Sequence, residues 1–186
     1  MSENNVVIAL VGMPGSGKTS AAEFFRKKDF AILRFGDQTD IGLKEMKLSL
    51  NEKNEKMYRE KIRKELGMAA MAIKIKPRIN EALKKNNKII LDGLYSWEEY
   101  IYLKRFYKNL FLLCIYASPK KRYKRLCGRK IRGLTEKQAQ ERDCAELDKL
   151  NKGGPIAIAD YLIKNNNSKK EFSQKLEKFL NSKTYK

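Results

Sequence analysis

Apolar residues along the chain fall into short continuous runs that are separated by longer amphipathic stretches. The runs are typical of strands and lie at residues 5–11, 30–35, 88–92, 110–117 and 160–164. The run at 110–117 is apolar almost throughout, as expected for a parallel strand that is covered on both faces. Between the runs, apolar residues recur at helical spacing, for example from Phe172 to Leu180. This alternation predicts an α/β fold with a five-stranded parallel sheet.

Several helices are marked by signals at their first residues. Three segments match the capping-box pattern, a Ser or Thr followed three residues later by Glu or Gln: Ser96 with Glu99, Thr135 with Gln138, and Ser168 with Glu171. Gly153-Gly154-Pro155 is expected to break the chain before the last strand.

The segment from about 41 to 87 is long for a connection between two strands. Its helical patterns are interrupted near Asn51 and Pro77. An apolar stripe predicts one helix within it, formed by Ile62, Leu66, Ala69 and Ile73. We expect a helical insertion that covers a second substrate.

Length and composition narrow the classes of protein. A chain of 186 residues suits a single domain, and no apolar run approaches the length of a membrane span. The polar start lacks a signal-peptide pattern, so we expect a cytoplasmic protein without a membrane partner. The chain has three cysteines and no histidine, which excludes a histidine base and argues against zinc.

The net charge of +19 suggests either an acidic partner such as nucleic acid or a surface rich in solvated lysines. We favour the second interpretation because most basic residues are scattered. One stretch differs, because residues 100–135 contain eleven basic residues and no acidic one. A nucleic-acid partner remains an alternative, and the oligomeric state is left open.

Residues 12–19 read Gly-Met-Pro-Gly-Ser-Gly-Lys-Thr, which is the G-x-x-x-x-G-K-[ST] pattern of a phosphate-binding P-loop. An apolar run precedes it and a helical pattern follows, as this motif requires. Its glycines let backbone N–H groups surround phosphate oxygens, while Lys18 reaches the terminal phosphates and Thr19 can bind Mg²⁺. The residues predicted to hold a nucleotide are Gly12, Gly15, Ser16, Gly17, Lys18, Thr19 and Ser20.

Two carboxylates follow predicted strands, at the edge where open α/β sheets bind ligands. Asp37 comes after the second strand, where it can accept the proton of an attacking hydroxyl or form part of a turn. Asp92 ends the third strand, as a Walker B carboxylate does, and would hold Mg²⁺ through water. The alternative for Asp92 is an Asp-Gly turn.

Four arginines in the basic stretch suggest a lid at about 122–134, namely Arg122, Arg125, Arg129 and Arg132. Such a lid neutralises the charge on a transferring phosphoryl group and excludes water. Arg125 and Arg129 share one helix face, and we favour Arg129 as catalytic with help from Arg125. The alternative is a solvated basic helix.

Three further residues are weaker candidates. Arg142 can reach phosphate or pair with a nearby carboxylate, and Arg63 can bind an acceptor or remain solvated. Asn165 follows the last strand, where it can contact the adenine base or form a polar turn.

Taken together, these motifs resemble the nucleoside monophosphate kinase branch of P-loop proteins, especially dephospho-coenzyme A kinases and archaeal adenylate-kinase-related proteins. The matching segments run in order along nearly the whole chain: Gly12–Thr19, 35–37, 63–67, 90–93, 117–132, 142–143 and 159–165. The resemblance implies a three-layer α/β/α domain spanning 1–186, an arginine lid, and ATP with Mg²⁺ as phosphoryl donor. It also implies that Asp37 sits where dephospho-coenzyme A kinases carry a catalytic Asp.

The chain departs from these kinases on the acceptor side. Adenylate kinases carry an arginine after their Gly-Asp and another after the Asp-Gly of strand three, whereas this chain has Asp40 and Leu94-Tyr95-Ser96. A phosphate-bearing acceptor requires such cations, so a hydroxyl acceptor activated by Asp37 fits the sequence better. We therefore expect an ATP-dependent phosphotransferase acting on a nucleotide or a nucleotide-like small molecule. A nucleotide-dependent switch and a nucleic-acid-processing protein are the alternatives.

Overall fold

The computed structural model describes residues 5–129 and 133–185. Within them, five strands form one sheet: β1 Val6–Val11, β2 Ala31–Arg34, β3 Lys88–Asp92, β4 Leu110–Tyr116 and β5 Tyr161–Lys164. All neighbouring strands are parallel, in the order β2-β3-β1-β4-β5. The prediction of a five-stranded parallel sheet is therefore confirmed, and every predicted strand end lies within one residue of the observed one.

Helices connect the strands and cover both faces of the sheet. The helices in the described ranges are α1 Lys18–Arg26, α2 Asp37–Glu45, α3 Glu52–Leu66, α4 Ala70–Lys85, α5 Trp97–Phe106, α6 Pro119–Cys127, α7 Glu136–Asp148, α8 Gly153–Ala157 and α9 Lys169–Ser182. The predicted capping boxes at Ser96 and Thr135 are confirmed. The third is only half formed, because Ser168 accepts from the Glu171 N–H while the Glu171 carboxylate pairs with Lys175.

Strand alternation divides the core into two layers of side chains. Val7, Ala9 and Val11 of β1 face one core, which α3, α4 and α5 help to close. Ile8 and Leu10 face the other, where the rings of Phe25 and Phe179 from α1 and α9 meet edge to face. Because successive strand residues point to opposite faces, the unbroken apolar run of β1 fills both cores. The result is the three-layer α/β/α architecture.

The segment between β2 and β3 consists of α2, α3 and α4. Asn51 marks a helix start as expected, since its side chain accepts from the Asn54 N–H at 2.9 Å. The predicted break at Pro77 is wrong, because Pro77 lies inside α4. The interruption occurs instead at Gly67, whose φ of 75° ends α3.

Two other local predictions are corrected by this arrangement. The apolar stripe assigned to one helix is divided, with Ile62 and Leu66 on α3 and Ile73 on α4. Gly153-Gly154-Pro155 does not simply break the chain, because it forms the first turn of the short helix α8. In the part of the chain that the structure describes, no helix is long and apolar enough to cross a membrane.

A buried ion pair joins α6 to α7. The Arg122 guanidinium donates to both carboxylate oxygens of Asp143, at 2.8 Å and 2.5 Å. It also donates to the carbonyls of Pro14 and Ala117, at 3.1 Å and 3.2 Å. Arg122 was predicted to belong to an arginine lid, but it is buried and connects the P-loop, the end of β4 and α7.

Replacing Arg122 by Met should lower the free energy of unfolding by about 3–5 kcal/mol, because it leaves the buried Asp143 carboxylate without its charged partner. Urea unfolding measures the change. Arg105→Met on the exposed side of α5 is the matched control and should change the free energy by less than about 0.5 kcal/mol. A loss for Arg122→Met no larger than that of the control would contradict the role assigned to this ion pair.

Candidate active site

The P-loop joins β1 to α1 at the carboxyl edge of the sheet, and two of its glycines are required by close contacts. Gly12 has a φ of 139°, and a Cβ there would lie 2.3 Å from the Ile115 carbonyl oxygen. Gly17 has a φ of 110°, and its Cβ would lie 2.3 Å from Asn165 Nδ2. Only glycine combines these φ values with such close neighbours. The loop therefore keeps the shape that turns its N–H groups toward an anion.

A cavity of about 330 Å³ opens in front of the P-loop. Segments from both halves of the chain form its walls: the P-loop and the start of α1, the ends of β2 and β3 with the loops after them, α6 with Arg129 beyond it, α7 and the α7–α8 connection. The lining residues are Pro14, Gly15, Gly17, Lys18, Thr19, Ser20, Arg34, Gly36, Asp92, Tyr95, Arg125, Arg129, Arg142, Glu146 and Lys152. Most of the predicted site residues are thus brought together.

Lys18 is the first residue of α1, and its Nζ folds back over the P-loop. It donates to the carbonyls of Gly12 at 2.7 Å and Met13 at 3.2 Å. Burial, followed by the nearby charge of Lys152, lowers the pKa of Lys18 to about 7. Glu146 and Asp92 oppose this shift, and Arg142 adds to it. The ammonium group is therefore destabilised by its surroundings and would be stabilised by a polyanion.

Thr19 and Asp92 line the same cavity and suit a magnesium ion. Magnesium usually takes one or two protein oxygens and completes its shell with phosphates and water. The described residues hold no group of three or more His, Cys, Asp or Glu side chains that could bind a metal ion. Burial raises the pKa of Asp92, while the charges of Lys18 and Arg34 oppose the rise. A cation beside this carboxylate would stabilise its ionised form.

Arg125 and Asn165 support the P-loop backbone. Arg125 donates to the carbonyls of Gly15 at 3.3 Å and Ser16 at 3.4 Å, and to the Asn165 carbonyl at 2.7 Å. Asn165 Nδ2 donates to the Ser16 carbonyl at 2.7 Å and does not line the cavity. The Ser16 hydroxyl is buried and makes no hydrogen bond within the described residues. Arg125 thus both lines the cavity and holds the loop, whereas Asn165 contacts the loop alone.

Arg129 lines the cavity from the segment just after α6, and Arg142 lines it from α7. Arg129 is exposed just after α6. Arg142 Nε donates to Glu146 Oε1 at 3.0 Å, so this side chain both reaches the cavity and pairs with a carboxylate. Residues 130–132 of the predicted lid, including Arg132, lie outside the described residues.

Asp37 and Arg63 are not among the residues that line the cavity. Asp37 begins α2 directly after the lining residue Gly36, and its Oδ2 lies 3.4 Å from Arg78 Nη2. Its charge contributes to the raised pKa of Asp92, which places the two carboxylates within electrostatic reach. Arg63 lies on α3, where its charge acts on Glu99 of α5. Asp37 is thus adjacent to the cavity, whereas the described contacts leave Arg63 away from it.

Four lining residues with polar or charged side chains were missed by sequence reasoning: Arg34, Tyr95, Glu146 and Lys152. Arg34 ends β2, so the rule that selected Asp92 at a strand end would have found it. Tyr95 was noticed only because it occupies a position without the expected arginine. Glu146 and Lys152 carry no sequence signal, because helix residues far along the chain reach the cavity only through packing of α7.

The fold and the site together define a P-loop protein with a kinase-like fold. The solved structures with similar folds include TT1252 from Thermus thermophilus, with a TM-score of 0.64 and 16% identity over 96% of this chain and 97% of that one. Shikimate kinase from Bacteroides thetaiotaomicron gives a TM-score of 0.62 and 16% identity over 95% and 98% of the two chains. At these identities the likeness concerns the fold.

Sequence relatives identify the family. A family model described as AAA domain matches residues 8–148. The UPF0200 protein PH1008 of Pyrococcus horikoshii is 33% identical over 93% of this chain and 95% of its own length. The UPF0200 protein MJ1399 of Methanocaldococcus jannaschii is 33% identical over 94% and 89% of the two chains. The chain therefore belongs to the AAA domain family and to the UPF0200 proteins.

Binding of ATP should take up a proton at pH 8, because Lys18 is largely neutral above its pKa of about 7 and the phosphates restore the ammonium. At pH 6 the lysine is already charged, so this uptake should vanish. Calorimetric titrations in buffers of different ionisation enthalpy measure it. Lys18→Arg, which stays charged at both pH values, should lose the uptake. Equal uptake by wild type and Lys18→Arg at pH 8 would contradict the assignment to Lys18.

Proposed function

We propose that the protein is an ATP-dependent phosphotransferase that acts on a nucleotide or a nucleotide-like small molecule. One observation carries the proposal: the P-loop, Asp92 and the arginines of α6 and α7 line a single cavity. A triphosphate held at Lys18 would have its terminal phosphate among these cations. The kinase folds among the structural neighbours, which include shikimate kinase and gluconokinase, support the reaction class.

The donor half of the proposed site is built by the P-loop. The backbone around Gly15 and Gly17, together with the Lys18 ammonium, would hold the triphosphate, and the α1 N-terminus faces the same position. Thr19 would bind magnesium directly and Asp92 through water, and Ser20 lies beside Thr19 on the cavity wall. Magnesium, when bound, supplies positive charge to the phosphate oxygens. Asn165 and Arg125 keep the loop in shape from behind.

The acceptor side contains a candidate base and a candidate cation. We assign Asp37 to orient or deprotonate the acceptor hydroxyl, with the Arg78 ion pair positioning its carboxylate. Arg129, with the positive charge of Arg125, would stabilise the charge that spreads over the transferring phosphoryl group. Arg142 adds a cation on the wall formed by α7.

A nucleotide-dependent binding protein is the second candidate, and exposed apolar side chains favour it. Ile41 within α2 and Met46 just after it are exposed, as is Leu50 in the connection to α3, with 61% of its surface accessible. Such a surface suits a protein partner. Turnover of a small acceptor separates the two candidates, because a switch protein would hydrolyse or exchange nucleotide without phosphorylating one.

Lys18→Ala should weaken ATP affinity by about 10- to 100-fold, because it removes a charge-assisted hydrogen bond to the terminal phosphates. Equilibrium titration with ATP and magnesium measures the affinity. Lys27→Ala, on the exposed residue that follows α1, is the matched control and should bind as the wild type does. Unchanged ATP affinity in Lys18→Ala would refute the proposed donor site.

Asp37→Asn should lower kcat by about 100-fold or more while leaving the KM for ATP nearly unchanged, since only general-base function is lost. The assay uses ATP with a panel of nucleoside monophosphates and dephospho-coenzyme A as acceptors. Asp40→Asn, one turn further along α2 and exposed, is the matched control. If Asp37→Asn turned over like the control, Asp37 would not be the base, although phosphotransfer itself could stand.

A further inference from the structure

Lys152 is an almost completely buried cation on the wall of the cavity, in the connection between α7 and α8. Its side chain is 2% exposed, and its Nζ donates to the Glu146 carboxylate. The same Nζ lies 4.6 Å from the centre of the Tyr95 ring. The Glu146 carboxylate also accepts a hydrogen bond from Arg142 Nε, so it pairs with two cations that line the cavity. None of the roles assigned above uses Lys152.

This arrangement is costly unless an anion enters the cavity. Burial lowers the pKa of Lys152, and the Glu146 carboxylate opposes that shift. Lys152 is in turn the largest charge that disfavours the Lys18 ammonium. A buried ion pair contributes little stability compared with apolar side chains of similar size. Stability therefore gives a poor account of a second lysine that lines the same cavity as Lys18.

The net charge of the side chains that line the cavity also favours binding of an anion. Among the described residues that line it, six side chains are cationic and two are carboxylates. A triphosphate that carries magnesium neutralises only part of this excess. The remaining positive charge matches a second anionic group close to the phosphoryl donor.

Lys152 also lies against the loop in which an expected cation is missing from the sequence. The loop after β3 reads Leu94-Tyr95-Ser96, whereas the kinases that the chain resembles carry an arginine after the corresponding Asp-Gly. The Lys152 ammonium packs over the ring of Tyr95 in that loop. A lysine from a distant part of the chain thus supplies positive charge beside that loop.

We propose that Lys152, positioned by Glu146 and Tyr95 and assisted by Arg142, binds a phosphomonoester group of the phosphoryl acceptor. The inference rests on the proposed phosphotransferase function and names its substrate class, an acceptor that carries a phosphate. It revises the expectation that the cations needed for a phosphate-bearing acceptor are missing, because they come from α7 and the α7–α8 connection rather than from the loops after β2 and β3.

The test measures acceptor binding to protein saturated with magnesium and a non-hydrolysable ATP analogue. The probes are AMP, GMP, CMP and UMP, with the matching nucleosides as uncharged counterparts. At least one monophosphate should bind the wild type about tenfold or more tightly than its nucleoside. Lys152→Met should weaken that binding by about tenfold or more, while affinity for the ATP analogue changes by less than about threefold.

Three further variants keep the test decisive. Lys152→Arg should retain most of the monophosphate affinity because it retains the charge, and Arg142→Met should weaken it in the same direction as Lys152→Met. Lys149→Met, at an exposed position just after α7, should leave both affinities unchanged. If Lys152→Met fails to fold, as judged by its thermal unfolding, Lys152→Gln and Arg142→Met replace it.

The inference is overturned if no monophosphate binds the wild type, or if Lys152→Met binds monophosphates as the wild type does. It is also overturned if Lys152→Met weakens the ATP analogue and the monophosphate equally, because the lysine would then belong to the donor side. Each of these outcomes leaves the phosphotransferase proposal standing. That proposal is tested separately, by the ATP affinity of Lys18→Ala and by turnover of a small acceptor.

Discussion

The guanidinium group of Arg122 is the contact on which the geometry of the site depends. It joins the Pro14 carbonyl of the P-loop, the Ala117 carbonyl after β4 and the Asp143 carboxylate of α7. Asp143 lies one turn before Glu146, so the ion pair places the α7 face that carries Glu146 against the P-loop. The two walls of the cavity, which come from opposite ends of the chain, are thus connected through one buried charge pair.

The charged side chains that line this cavity shift one another's pKa values. Burial and the charges of Lys152 and Arg142 lower the pKa of Lys18, whereas the charges of Glu146 and Asp92 oppose that shift. Burial acts to raise the pKa of Glu146, but Lys152 and Arg142 outweigh it and hold the pKa below its usual value. One carboxylate thereby keeps two cations in a site whose own electrostatics disfavour them. Such an arrangement favours binding of a polyanion, because the negative charge of the ligand would relieve the repulsion among the cationic side chains.

Local sequence patterns predicted the parts of the fold in which the conformational preferences of the residues agree with their tertiary contacts. The P-loop could be predicted from its sequence motif, because the motif specifies glycine at positions 12 and 17. Both glycines adopt φ values and make close contacts that other residues do not tolerate. Asp92 could be read as a strand end. Pro77 misled the prediction because the buried side chains of Ile75 and Ile79 anchor α4 on either side of it, and this packing offsets the cost of proline in a helix. Arg122 was misjudged for a related reason, since its charge suggested exposure whereas Asp143 allows it to be buried.

The sequence alone determined the succession of strand and helix segments along the chain, the phosphate-binding loop, and Asp92 as the carboxylate at the end of a strand. These features depend on residues that are neighbours along the chain. Only the tertiary structure decided which charges share the cavity, because Arg34, Arg142, Glu146 and Lys152 come from separate elements. The sheet order β2-β3-β1-β4-β5 and the packing of α7 bring these residues to the P-loop. Side chains so far apart in sequence meet through packing, and that packing decided that most of the charged side chains lining the cavity are cationic.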